Sequence, residues 1–230
     1  MQTVAWQCEG HEARLRLAEL AASVRADRPG EGLGQVSVLD HPWPGARLLG
    51  VAAMSPDGAA DPLDWHLCGT DLAAAYVDSL DPAVRIDLVW RTIRPGGVDR
   101  FLAAVDLIVS LRTERLESRP EVVVESLLPG ATVTADRPAA DFHWFWRPNL
   151  PWSYVQMAHP ADLRRDETAT EPGPVAATRL RHFLFPPQPL EKGVILRARV
   201  RGVFLPREAD AKTAAACYDA MVAAEPPLGR

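Results

Sequence analysis

The chain has 230 residues, 47% of them hydrophobic and 24% charged, with a formal net charge of −5. That composition supports a sizeable core, and because all-β domains often reach this length, one domain over residues 1–230 is expected. The acidic balance excludes broad affinity for nucleic acid or an anionic membrane, neither of which would meet a positive field. No apolar stretch approaches the roughly 20 residues of a membrane span. The first ten residues, MQTVAWQCEG, carry no basic segment followed by an apolar run, so a cytoplasmic location is expected. Cys8, Cys68 and Cys217 are odd in number and widely spaced, which fits reduced thiols.

Prolines and glycines punctuate the chain at short intervals, and the segments between them mostly alternate apolar and polar residues, the mark of a β-sandwich. His11 to Arg25 fits either a helix through Leu17, Leu20, Ala21 and Val24 or a pair of short strands; strands are preferred. Asp27 to Gly34 is a turn whose G-x-G-x-G spacing is only superficially that of a phosphate loop, because no helix pattern follows it. His41 to Asp64 holds four prolines around one apolar strand, Leu48 to Ala53.

Asp64 to Asp71 is chemically dense. His66 and Cys68 would point the same way on a strand, a metal half-site in principle, but no second H-x-C, C-x-x-C or H-x-x-x-H supplies further ligands. No metal and no cofactor are therefore expected. Asp71 reads as a turn cap and His66 as a surface residue.

Three strands follow with clear faces. Ile86, Leu88 and Trp90 oppose Arg85, Asp87 and Arg91; Val105, Leu107, Val109 and Leu111 oppose Asp106, Ser110, Arg112 and Glu114; EVVVE spans Glu121 to Glu125 and ends at Pro129-Gly130.

Phe142 to Tyr154 packs six aromatics into thirteen residues. Alternation puts Phe142, Trp144 and Trp146 on one face and His143, Phe145 and Arg147 on the other, before Pro148 to Pro151 turns the chain. Flat rings stack on sugars, and His143, Arg147, Asn149 and Trp152 near the turn are candidate ligand contacts. The plainer reading, preferred for Trp144 and Trp146, is that the hairpin fills the core. Arg164 to Thr178 is the most polar and least periodic segment and is expected to be a mobile loop.

Leu190 to Arg207 ends the strand series. Leu196, Ala198 and Val200 alternate with Arg197, Arg199 and Arg201, placing three guanidinium stems about 7 Å apart on one face. Such a row needs solvent, carboxylates or an anionic ligand. Carboxylates on neighbouring strands, among Asp87, Asp106, Glu114 and Glu125, give the plain reading of a cross-strand charge lattice; an anion site is the functional one. A C-terminal helix, about residues 208–224, follows from Ala211, Ala214, Ala215, Tyr218, Met221 and Val222 at helical spacing, with acidic residues at its start and Pro226-Pro227 as its stop. Cys217 beside that stripe reads as a small buried residue.

No G-x-S-x-G, G-x-x-x-x-G-K-[ST], H-E-x-x-H or H-x-E…P-C-x-x-C motif is present. The stretches DLAAAYVDSLDPAVRIDLVWR and LEKGVILRARVRGVFLPR resemble an uncharacterised bacterial family of hypothetical proteins, a resemblance that implies no activity and assigns no functional residue.

The expected fold is thus a mainly antiparallel all-β sandwich of roughly ten strands with one C-terminal α-helix. Its leading functional reading is a non-catalytic module binding a carbohydrate or anionic small ligand through Arg197, Arg199 and Arg201 or through His143, Arg147, Asn149 and Trp152. The first alternative is a carbohydrate-active enzyme on a mutarotase-like or lyase-like sandwich, with Arg112, Glu114 and His143 as its converging groups. The second is a structural or interaction protein whose sheet faces meet a protein partner.

Overall fold

Antiparallel pairing throughout, with the alternating sequences above as its cause, produces two facing sheets and one helix in the computed structural model of the protein, which describes residues 5–52, 59–93, 101–133, 142–185, 188–208 and 210–225. In chain order the strands are β1 (Trp6–Glu9), β2 (Glu12–Arg16), β3 (Leu20–Arg25), β4 (Leu33–Val38), β5 (His41–Pro42), β6 (Arg47–Ala52), β7 (Asp64–Cys68), β8 (Asp71–Val77), β9 (Val84–Ile93) and β10 (Ala103–Thr113). There follow β11 (Glu117–Ser118), β12 (Val122–Pro129), β13 (Thr132–Val133), β14 (Phe142–Trp146), β15 (Trp152–Ala158), β16 (Leu163–Glu171), β17 (Ala177–Leu184), β18 (Leu190–Glu191), β19 (Leu196–Pro206) and the helix α1 (Asp210–Ala223). The first sheet runs β1-β2-β3-β4-β6-β12-β17-β16 with β5 beside β4; the second runs β13-β14-β15-β19-β10-β9-β8-β7. The short β11 and β18 pair with each other.

The core lies between the sheets. Alternate residues of β9, β10 and β19 (Leu88, Trp90, Leu107, Val109, Ala198, Val200 and Phe204) meet Leu15, Val24, Leu48, Val124 and Leu180 of the first sheet, all essentially inaccessible to solvent. A second, smaller apolar cluster forms on the opposite face of the second sheet, where Ala214, Cys217 and Met221 of α1 cover Val155, Met157, Val203 and Leu205. The helix thus packs through a mixed stripe of Ala, Cys, Tyr and Met rather than through alanines alone. Cys217 is buried there, as expected for a small apolar residue. The proposed stop at Pro226-Pro227 lies outside the described residues.

Residues 11–25 form β2 and β3, as preferred. Two expectations differ from the structure. More strands form than the roughly ten expected, because the proline- and glycine-rich stretches close short hairpins instead of remaining loops. Residues 164–178 are not simply a loop: β16 runs from Leu163 to Glu171 and pairs along its length with β17. It escaped detection because it is an edge strand wetted on both faces, so no apolar alternation marks it, and its charges keep that edge from pairing with another chain.

Glycines permit two close approaches. Gly32 and Gly50 let the 3-10 turn at Pro29–Glu31 lie directly on β6; a Cβ on Gly32 would stand 2.2 Å from the Leu48 carbonyl oxygen. The glycine cluster therefore serves backbone packing. On β19, a Cβ on Gly202 would stand 2.7 Å from the Tyr154 hydroxyl, so Gly202 makes room for a buried ring between the sheets. Gly202→Ala is expected to cost about 1–3 kcal/mol by overpacking. Urea unfolding of Gly202→Ala, Tyr154→Phe and the double variant should give a loss smaller than the sum of the two singles, because removing the hydroxyl relieves the contact.

Candidate functional site

The arginine row comes first because its neighbours decide its availability. On the outer face of the second sheet the register aligns Asp71, Arg91, Asp106 and Arg201 across β8, β9, β10 and β19, so charges alternate − + − + along one row. Arg91 Nε donates to Asp71 at 2.9 Å, and Arg201 meets Asp106 through two parallel bonds of 2.6 and 2.9 Å. Asp106 is 2% exposed, so this is a desolvated, bidentate pair. Two rows over, Arg197 donates to Ser110 Oγ at 2.8 Å. Arg199, 7% exposed, donates to the Met221 carbonyl oxygen at 2.6 Å in the last turn of α1, where a cation suits the helix C-terminus. Burial under the helix lowers its pKa. Its backbone N–H donates to Asp162, whose own pKa burial raises. Arg199 and Arg201 therefore hold the helix and the sheet together and offer little open surface to a ligand.

The aromatic hairpin is divided. Phe142 and Trp144 pack against the helix cluster, while His143 and Phe145 point between the sheets. Trp152, a candidate ligand contact in the sequence, is 2% exposed and stacks edge-on against Trp43 and Phe204, so it belongs to the core. Arg147 and Asn149 remain at the turn, closed by the bond from Leu150 N to the Arg147 carbonyl, with Arg147 lying beside Gly130. Arg112, Glu114 and His143 do not converge: Gln156 and Gly202 carry His143 into line with Val105, seven residues along β10 from Arg112, and Arg112 points off the opposite face. Asp71 opens β8 and pairs with Arg91 rather than capping a turn, and His66 is exposed beside Asp64.

What the fold does gather is a different set. At the sandwich edge formed by β14 of the second sheet and the β16–β17 hairpin of the first, His143 Nε2 contacts Asp166 Oδ2, and the His143 and His182 rings lie 5.6 Å apart. Asp166 and His182 are direct cross-strand partners. One nitrogen or oxygen from each of the three residues lies within 4.8 Å of the others. Their exposure is graded: Asp166 is open to solvent, His143 partly covered and His182 1% exposed. Neither His182 nitrogen has a hydrogen-bond partner among the described residues. An unmatched buried polar atom costs about 1–3 kcal/mol, so this imidazole opposes folding in the protein alone. Burial, reinforced by nearby His143, pushes its pKa down to about 3, leaving it neutral with a free lone pair.

A buried polar chain extends inward from there. Leu49 N–H donates to Ser126 Oγ at 2.9 Å, Ser126 donates to Gln156 Oε1 at 2.6 Å, and the Tyr154 hydroxyl donates to the same oxygen at 2.8 Å. Burial raises the Tyr154 pKa, holding the hydroxyl protonated as a donor. Gln156 faces His143 in the register, and its Nε2 is also unmatched among the described residues.

A separate groove of about 740 Å3 runs along the outer side of the first sheet. Ser23 and Arg25 of β3, Gln35 of β4, Glu31, Pro42, Pro44 and Arg47 line it. Its relief comes from the backbone: β3 and β4 slip register between Ala21 and Ser23, and Gln35 and Asp40 take left-handed conformations, with φ of 50° and 60°. Arg25 is held by Asp27 at 2.6 Å, whereas Arg47 has no ion-pair partner among the described residues.

No family model matches the chain, and no curated protein matches it. Among solved structures it is similar to a TPR-domain-containing protein from Parabacteroides distasonis, with a TM-score of 0.58 at 8% identity over 84% of this chain. It is also similar to a mutant of the heparan sulfate lyase HepC from Pedobacter heparinus, at 0.53 and 11% over 89% of this chain. A third likeness is to YeaD of Salmonella typhimurium, a proposed mutarotase, at 0.52 and 8% over 85% of this chain and 90% of that one. The chain spans 47% of the TPR-domain protein and 36% of the lyase. At these identities the likeness is one of fold, and two of the three neighbours carry names from carbohydrate chemistry. No helix among the described residues is long and apolar enough to cross a membrane.

His182 gives the site a pH signature. Unfolded, it takes up a proton near its ordinary value of 6.5; folded, only near 3. Acid therefore favours the unfolded chain, and the stability held above pH 6.5 falls as pH drops toward 3. His182→Leu, flanked on the same face by Leu180 and Leu184, removes both the unmatched nitrogens and this proton uptake. In metal-free buffer it should be more stable by about 1 kcal/mol at pH 7, with the gain widening as pH is lowered. Thermal melts from pH 7.5 to 4 of wild type and variant check this; equal slopes would contradict it.

Proposed function

We propose that the protein is a carbohydrate-binding β-sandwich that takes an acidic sugar in the groove between Arg25, Gln35 and Arg47. The observation that carries this reading is the groove itself: its volume lies within the roughly 300–1,000 Å3 of small-ligand sites, and it is lined by the Arg47 guanidinium, which has no ion-pair partner among the described residues. Planar side chains such as Arg and Gln suit the paired hydroxyls and carboxylate of a uronic sugar, and Pro42 and Pro44 supply the apolar surface for its ring face. The fold shared with proteins named for carbohydrate chemistry supports the ligand class. This reading keeps the anionic-sugar expectation and moves it from the arginine row, which is occupied by Asp106, Ser110 and the end of α1.

Isothermal titration with glucuronate- and galacturonate-containing disaccharides, against neutral disaccharides, tests it. Acidic sugars should bind more tightly, and Arg47→Ala should weaken them about 10- to 100-fold, the loss of one charge-assisted hydrogen bond. Arg197→Ala should leave binding unchanged. Equal response to neutral sugars, or loss with Arg197→Ala instead of Arg47→Ala, would reject the groove.

A further inference from the structure

We propose that His143, Asp166 and His182 form a binding site for a divalent ion of the zinc class at the open edge of the sandwich. Three independent observations converge on it. The donor set is two imidazoles and one carboxylate, which suits zinc and its transition-metal neighbours; calcium and magnesium prefer all-oxygen sites. The three donor atoms already lie within 4.8 Å of one another, with His143 and Asp166 in direct contact, whereas ligands around a tetrahedral ion stand about 3.3 Å apart, so taking an ion requires His143 and Asp166 to part slightly and the wider separations to close by at most about 1.5 Å. Asp166, on the exposed edge strand β16, has the room to move.

The third observation is His182 itself. It is an almost wholly buried imidazole, aimed at His143 and Asp166, with no partner on either nitrogen. Coordination would give that lone pair a partner. The placement is also economical: β16 and β17 present Asp166 and His182 side by side, and the facing sheet supplies His143. An ion there would tie the two sheets together where they open, and three protein ligands leave a fourth position on the solvent side beside Asp166. The groove at Arg47 draws on none of these residues.

The test uses the full chain, stripped with chelator and titrated with Zn2+ alone, with bound metal counted by mass spectrometry. One equivalent should bind and raise the melting temperature. Asp166→Asn on the exposed strand, His143→Ala and His182→Leu should each weaken binding at least 10-fold. Cys68→Ser and His66→Ala, which remove exposed competing ligands, should leave it unchanged. Co2+ in place of Zn2+ should give a visible spectrum without the charge-transfer band of a thiolate ligand. Less than half an equivalent bound, binding that survives the His143 and Asp166 substitutions, or a thiolate band would each overturn the proposal. Sugar binding that persists in Asp166→Asn would separate failure here from failure of the groove reading.

Discussion

Strand β19 must satisfy two opposite environments at once, and the rest of the structure depends on how it does so. Its inward residues, Ala198, Val200, Gly202 and Phe204, belong to the tightest part of the inter-sheet core. Its outward residues include three arginines in a central strand, flanked on both sides by other strands. A charge in that position costs several kcal/mol unless paired and hydrogen-bonded. Asp106 answers Arg201, the row continues through Arg91 to Asp71, and the Met221 carbonyl in the last turn of α1 answers Arg199. Only with those charges matched can Val203 and Leu205, on the same face, accept the helix.

That arrangement pushes candidate ligand chemistry to the periphery. The middle of both sheets is committed to packing, so open polar groups collect where one sheet outruns the other or where the backbone bulges. The histidine cluster is a case of the first, at the β14 and β16–β17 edge. The Arg47 groove is a case of the second, shaped by the register slip in β3 and the left-handed residues of β4 and its following turn. Both lie against the first sheet, whose outer face carries no helix among the described residues. In the histidine cluster stability and function pull in opposite directions: leucine would suit the His182 position better for folding, and a histidine there is explained by what its nitrogen can bind.

The all-β sandwich, the C-terminal helix and the faces of β9, β10 and β19 were legible because period-two and helical spacing are direct consequences of one-sided burial. His143 was legible as a candidate contact but its face was not: the core side was assigned to Trp144 and Trp146, whereas the His143 and Phe145 face points between the sheets and Trp144 packs on the helix side. His182 stands between Leu180 and Leu184 at spacing two, a polar residue on an apolar face, but nothing in the sequence brings it beside His143. Asp166 carried no signal, because an edge strand wetted on both sides has no hydrophobic pattern to place it. Trp152 was misplaced because proximity to a turn in sequence says nothing about depth between two sheets. The groove was illegible for a related reason: it is made by backbone bulges, which side-chain patterns record only as irregularity. The arginine row is plain in the sequence, but its partners lie 95 and 22 residues away along the chain, and only the fold brings them together.

The claim that these arginines serve the fold is tested most directly by a double-mutant cycle at Asp106 and Arg201, followed by equilibrium urea unfolding of the full chain. Each single alanine variant strands a buried charge, so each should lose about 3–5 kcal/mol. The double variant, with neither charge left, should lose little more than the worse single, giving a coupling of about 2 kcal/mol or more. Losses that add within about 0.5 kcal/mol would mean that the two groups ignore each other in solution, and the row would again be free to meet a ligand.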